Sequence, residues 1–338
     1  MSLQQPVRRM AAYLPQALAS SDSVQQIEKV AEWFPAEISN TFCFEAELTG
    51  EPSFIDFAFS CTRGSTGIQI LAQKLKPADR LIHGTVWTNI SNLCRSLGEG
   101  DRSFRDNINH LWLEFDIGKE QGVPIPCLFL AIPEHGTSNI EWLVQIFQIL
   151  NYPSSPQFFE LLTHCFRSPA LRNKSFEVGF MFSRQTDKAR LVFLDVSEDF
   201  INSLEDLGLT CAGPAELRSL LADLKGIAKT INLAIDVGDT IGSKIGLECQ
   251  FSGKVQSDQP RWSRLLDALV SVGCSARDKR DAVLSWPGSS VERFSHLLWP
   301  TAVVRKISHL KVVWQPGNSP LQSKAYLLAR YNPDNCSI

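Results

Sequence analysis

Along ten stretches of the chain apolar and polar residues alternate with period 2, and the stretches arrive in pairs. The pairs are 42–48 with 54–61, 111–117 with 125–132, 176–183 with 190–196, 230–237 with 244–251, and 310–315 with 324–331. Turn-forming residues join them, among them Gly50-Glu51-Pro52, the run 118–124, Gln185-Thr186-Asp187, the run 238–242 and Pro316-Gly317-Asn318. Joints this short make antiparallel hairpins, because a parallel pair needs a crossover of about a dozen residues or more. Between the pairs period 3.6 takes over and predicts helices at 24–34, 86–97, 140–150, 157–165, 199–207, 215–228, 261–273 and 276–286. The first opens on Ser23 and Gln26, a capping-box-like start.

This is an irregular fivefold repeat of helix, strand, strand and helix. The expected fold is α/β, a ten-stranded antiparallel barrel of five α-β-β-α units with helices outside. It spans 21–338 as one domain, behind an N-terminal extension at 1–20. The alternative is an open sheet with one wet face. Alternation separates a polar set from an apolar one: Trp112, Glu114 and Asp116; Asn232 and Asp236; Lys244, Glu248 and Gln250; Lys324, Tyr326 and Arg330. In a closed barrel these sets line a wet lumen, since ten strands enclose more room than the roughly eight whose side chains fill an interior.

Composition narrows the partners. Lysine plus arginine numbers 33 against 36 aspartate plus glutamate, a net charge of -3, so no bulk field recruits nucleic acid. Nine cysteines scattered without CxxC spacing suit a reducing cytoplasm. No apolar run approaches the roughly 20 residues of a membrane span, and the weak signal-like segment after Arg8 and Arg9 is broken by Pro15 and Gln16. The histidines lack ligand spacing, so no metal site is expected. The run 238–244 is a hairpin loop and not a phosphate loop, which must open a helix. Glu114 and Asp116 share a strand face adequate for Mg²⁺ bound partly through water, but read better as an acidic lumen wall. The segment 275–281, with Arg277, Lys279 and Arg280 among aspartates, reads as a solvated helix face.

On element order the chain resembles the ABBA, or PT-barrel, prenyltransferases, aromatic and cyanobactin peptide enzymes among them. The matching residues are Phe44-Glu45-Ala46 on the first strand and Lys324-Ala325-Tyr326 on the last. The resemblance implies transfer of an isoprenyl group from a prenyl diphosphate to a peptide or aromatic small molecule. It implies no resident cofactor, Mg²⁺ at most accompanying the diphosphate. Glu45 or Glu114 would orient the acceptor; Lys244, Lys311, Lys324 and Tyr326 would hold the diphosphate, with Arg190 a further counter-charge, and Trp112 would shield a carbocation by cation–π contact. The departures concern charge. The second strand offers Asp56 where the family offers arginine, and only four tyrosines stand in the chain. Asp56, Glu114, Asp116, Asp236 and Glu248 would all oppose a diphosphate if they faced inward. The alternative is an inactive relative that binds a peptide or small cationic ligand through those carboxylates. Lumen charge separates the two: three or more clustered bases suit the enzyme, and a net-negative lumen suits cation binding.

Overall fold

A computed structural model of the chain describes residues 1–51, 55–73, 84–99, 107–118, 124–133, 141–167, 175–184, 186–197, 214–251, 255–316 and 322–331. The helix expected at 199–207 lies outside the described residues, as do parts of four of the expected turns. The strands are β1 Thr41–Glu47, β2 Asp56–Thr62, β3 His110–Phe115, β4 Cys127–Ile132, β5 Phe176–Phe180 and β6 Ala189–Phe193. They continue with β7 Thr230–Val237, β8 Ile241–Gln250, β9 Gly288–Glu292, β10 Thr301–Trp314 and β11 Gln322–Tyr331.

Each strand from β1 to β7 pairs antiparallel with the next, β8 pairs with β10, β10 with β11, and β11 returns to β1. Ten strands therefore close into a barrel, which removes the exposed edges an open sheet would carry. β9, a short strand that the alternation did not predict, adds to β10 below the end of β8. β10 itself is longer than expected, beginning at Thr301 where β-branched residues make it a partner for β9.

Closure follows from the alternation. The outward set of β1–β3, Phe42, Phe44, Phe57, Phe59 and Phe115, is fully buried and packs ring on ring, with centroids 5.8 to 6.4 Å apart along Phe44–Phe57–Phe115. Each such side chain contributes about 1.5–3 kcal/mol by leaving water. Helices cover this face: Phe34, after the helix Ser21–Glu32, sits 5.0 Å from Phe59. The segment expected as an extension, 1–20, carries a helix at Gln4–Ala11 whose Val7 and Met10 join the same core. A helix at Thr66–Ala72 likewise goes beyond the sequence expectation.

The helix Arg277–Ser285 corrects one reading. Lys279 is 1% exposed, and its ammonium donates to the carbonyls of Glu47, Thr49 and Glu51 at 2.9–3.3 Å. The carbonyls of Glu47, the last residue of β1, and of Thr49 and Glu51 just beyond it need a donor, and the lysine supplies it. Among the described residues no helix is long and apolar enough to cross a membrane, and the seven described cysteines are buried thiols.

Candidate functional site

Strand alternation points the polar set inward around a cavity of about 290 Å³. Its wall includes Glu45, Asp56, Glu114, Glu177, Glu248, Arg190 and Lys311, with the aromatic or imidazole rings of Trp112, Phe129, Tyr326, His110 and His309 between them. Of the residues expected at the site, Glu45, Glu114, Lys311, Tyr326, Trp112, Glu248 and Arg190 come together here. Asp116, Asp236 and Lys324 stand just outside the lining, in ion pairs at one end of the barrel. Lys244 is not brought to the cavity. β10 pairs with β8 only from Ile245 to Cys249, so Lys244 lies past the last rung and is exposed.

Local sequence creates this geometry. Glu45 stands directly opposite both Tyr326 and Asp56 in the register. A register shift between Ile307 and His309 lets the neighbours Ser308 and His309 both reach the cavity, and the His309 ring stacks on Tyr326 at 3.9 Å. Gly246 leaves room for Lys311: a Cβ there would lie 2.4 Å from its Cε. Gly179 does the same for the Phe129 ring.

Among the described residues Lys324, Lys311, Arg190 and Arg184, the bases in or beside the lumen, are each already held. Lys324 donates to Glu45 at 2.5 Å, and Glu45 also accepts from the Tyr326 hydroxyl. Lys311 meets Glu248 at 3.0 Å, a pair whose side chains are 8% and 9% exposed. Arg190 chelates Asp236 from 2.8 and 3.1 Å. Arg184 holds Asp116 through two nitrogens and Glu114 at 2.5 Å. The guanidinium thus fills the place between Glu114 and Asp116 considered for Mg²⁺. Among the described residues no group of three or more metal-ligating side chains is disposed to hold a metal ion.

Among the described residues two lumen carboxyls, Asp56 and Glu177, have no ion-pair base. Burial, reinforced by Glu45, Glu114 and Asp116, pushes Asp56 up to about 8, although it accepts the Ile117 N–H at 2.9 Å. Burial and the charge of Glu248 push Glu177 up to about 7 against the pull of Lys311. Glu45 goes the other way: burial would raise it, but the Lys324 charge and hydrogen bond hold it at about 2. Burial lowers both His309 and His110, so neither ring is a ready cation.

The sequence reading missed Glu177 and Arg184. Glu177 had a signal, as the one charged residue at an inward position of Phe176–Phe180. Arg184 had none: the strand stops at Phe180 and a 3-10 turn, Phe182–Arg184, redirects the side chain to β3.

No protein-family model matches this chain, and no curated protein matches it significantly. Solved structures do. The prenyltransferase PriB in its apo form is 12% identical and superposes with a TM-score of 0.57 over 96% of this chain and 94% of that one. The 6-dimethylallyltryptophan synthase from Micromonospora olivasterospora, solved with DMASPP and Trp, is 14% identical, with a TM-score of 0.53 over 97% of each chain. At such identities the likeness establishes the fold, a closed ten-stranded prenyltransferase barrel.

Proposed function

From a barrel with the prenyltransferase fold and an acidic interior, we propose that this protein takes a small organic cation, an alkylammonium or alkylguanidinium, into its lumen. The observation that carries the reading is the imbalance of charge. Among the described residues seven carboxyl groups, Glu45, Asp56, Glu114, Asp116, Glu177, Asp236 and Glu248, meet four bases, and each base is already paired with a carboxylate other than Asp56 or Glu177. An arriving cation finds Asp56 and Glu177 uncommitted, and the faces of Trp112 and Phe129 suit the cation and its apolar body. A diphosphate would have to strip bases from buried carboxylates, leaving charges unpaired at several kcal/mol each.

Uptake is coupled to protons. Asp56 and Glu177 carry protons near neutrality, and a cation beside them favours the ionised form, so binding expels protons and strengthens as pH rises through about 7 to 8. For one proton released the affinity climbs roughly tenfold per pH unit below that range.

A second reading is prenyl transfer to an aromatic or peptide acceptor, in line with the prenyltransferases among the matching structures. What favours it is Glu45, fixed by Lys324 and Tyr326 on the facing strand in the arrangement expected of an acceptor-orienting carboxylate. Calorimetry separates the two. With agmatine we expect saturable heat and a proton release that scales with buffer ionisation enthalpy. With dimethylallyl diphosphate, with or without Mg²⁺, we expect none. Diphosphate heat without agmatine heat would overturn cation binding in favour of prenyl transfer.

A further inference from the structure

The inner wall of the lumen does not stop at the barrel rim. β10 leaves β8 at Leu310 and continues down to Thr301, flanked there by β9 and by β11. Directly opposed residues share a face. The face that bears Leu328 at the cavity wall therefore runs outward through Lys306, opposite Leu328, then Val304, opposite both Arg330 and Ser289, then Ala302, opposite Val291.

The two faces of this extension differ. The outer one is covered: the Arg305 guanidinium lies 3.7 Å from the Tyr13 ring, Tyr13 donates to Glu292, and the Trp286 indole donates to the Lys306 carbonyl. On the inner one Val291 is 73% and Val304 43% exposed. Lys306 and Arg330 flank the valines, and neither has an ion-pair partner among the described residues.

Along one continuous surface the character thus changes from acidic lumen to basic rim to apolar ledge. From Lys306 to Ala302 the path is about 13 Å at strand spacing. A ligand that matches it carries a base, an acid and an apolar group in that order on an extended chain.

We propose that this inner face of β9–β10–β11 docks a peptide whose basic side chain occupies the lumen. An acidic side chain lies between Lys306 and Arg330, and an apolar one rests on Val291 and Val304. The anchor of this peptide rests on the cation-binding reading; the ledge does not.

The test compares two probes on the full chain by calorimetry: agmatine, which reaches only the lumen, and the blocked peptide Arg-Ser-Glu-Ser-Val. The peptide is expected to bind at least tenfold more tightly than agmatine. Val304→Asp and Arg330→Glu should each abolish that gain while leaving agmatine affinity unchanged, and Glu177→Gln should weaken both probes. Both ledge positions are exposed, so unchanged thermal melting confirms folding. Peptide affinity no better than agmatine's, or a gain that survives both ledge variants, overturns the proposal. So does a dimer in sedimentation that Val304→Asp dissolves, which would make a second copy of the chain the occupant. If agmatine fails to bind but the ledge variants still weaken the peptide, the ledge stands and the lumen reading falls.

Discussion

Asp56 and Glu177 keep their protons in the empty lumen because burial outweighs the one favourable contact each has. Both are raised above their unfolded values, so the stability they contribute is full below about pH 4 and is lost as pH rises through about 7 to 8. Glu45 is lowered to about 2, so its contribution is present above its ordinary range near 4.5 and is lost as pH falls toward 2. Thermal melts by circular dichroism should fall off on both sides. Asp56→Asn should flatten the alkaline limb and Glu45→Gln the acid one; unchanged limbs would mean that these groups do not face one another as described. The paired bases are expected to rank by burial. Lys311→Ala strands Glu248 in the deepest pair and should cost about 3 kcal/mol. Lys324→Ala, on a lysine 25% exposed, should cost about 1–2 kcal/mol. Urea titration measures both, and the reverse order would contradict the placement.

At the level of elements, the hairpins were legible wherever one face is wet. β3 has strictly alternating burial, and its polar residues Trp112 and Glu114 both line the cavity. Legibility failed where tertiary contact substitutes for pattern. β9, Gly-Ser-Ser-Val-Glu, has one apolar side chain and no alternation to register, and exists because β10 outruns β8. The helix Thr66–Ala72 is too short for its periodicity to register. Lys279 read as a surface charge because its acceptors are carbonyls about 230 residues away, which no local window contains. The apolar wall makes its own prediction. Phe57 stacks against Phe42, Phe44, Phe59 and Phe115, so Phe57→Ala should cost about 3–5 kcal/mol in chemical denaturation, the cavity being too hemmed in to collapse.

For the whole molecule, the decisive event is the pairing of β11 with β1, seven registered residue pairs from Thr41–Arg330 to Glu47–Lys324. Hydrogen exchange should find the amides of β1 and β11 as slow as those of β3 and β4, whereas a sheet open at this seam would let one of its flanking strands exchange fast. The fivefold repeat and the charged lumen were readable from the sequence because both follow from period 2. The distribution of charge inside was not. Which bases meet which carboxylates depends on register and on the turn that swings Arg184 inward, and those are settled only when the ring of strands is complete.

The excess of carboxylates also bears on how this protein meets a common laboratory denaturant. Guanidinium is a compact planar ion of the kind the interior is short of. At millimolar levels it should occupy the barrel and raise the melting temperature, before its molar effect on exposed surface takes over. Urea, alike in shape but uncharged, has no such first phase and should only lower it.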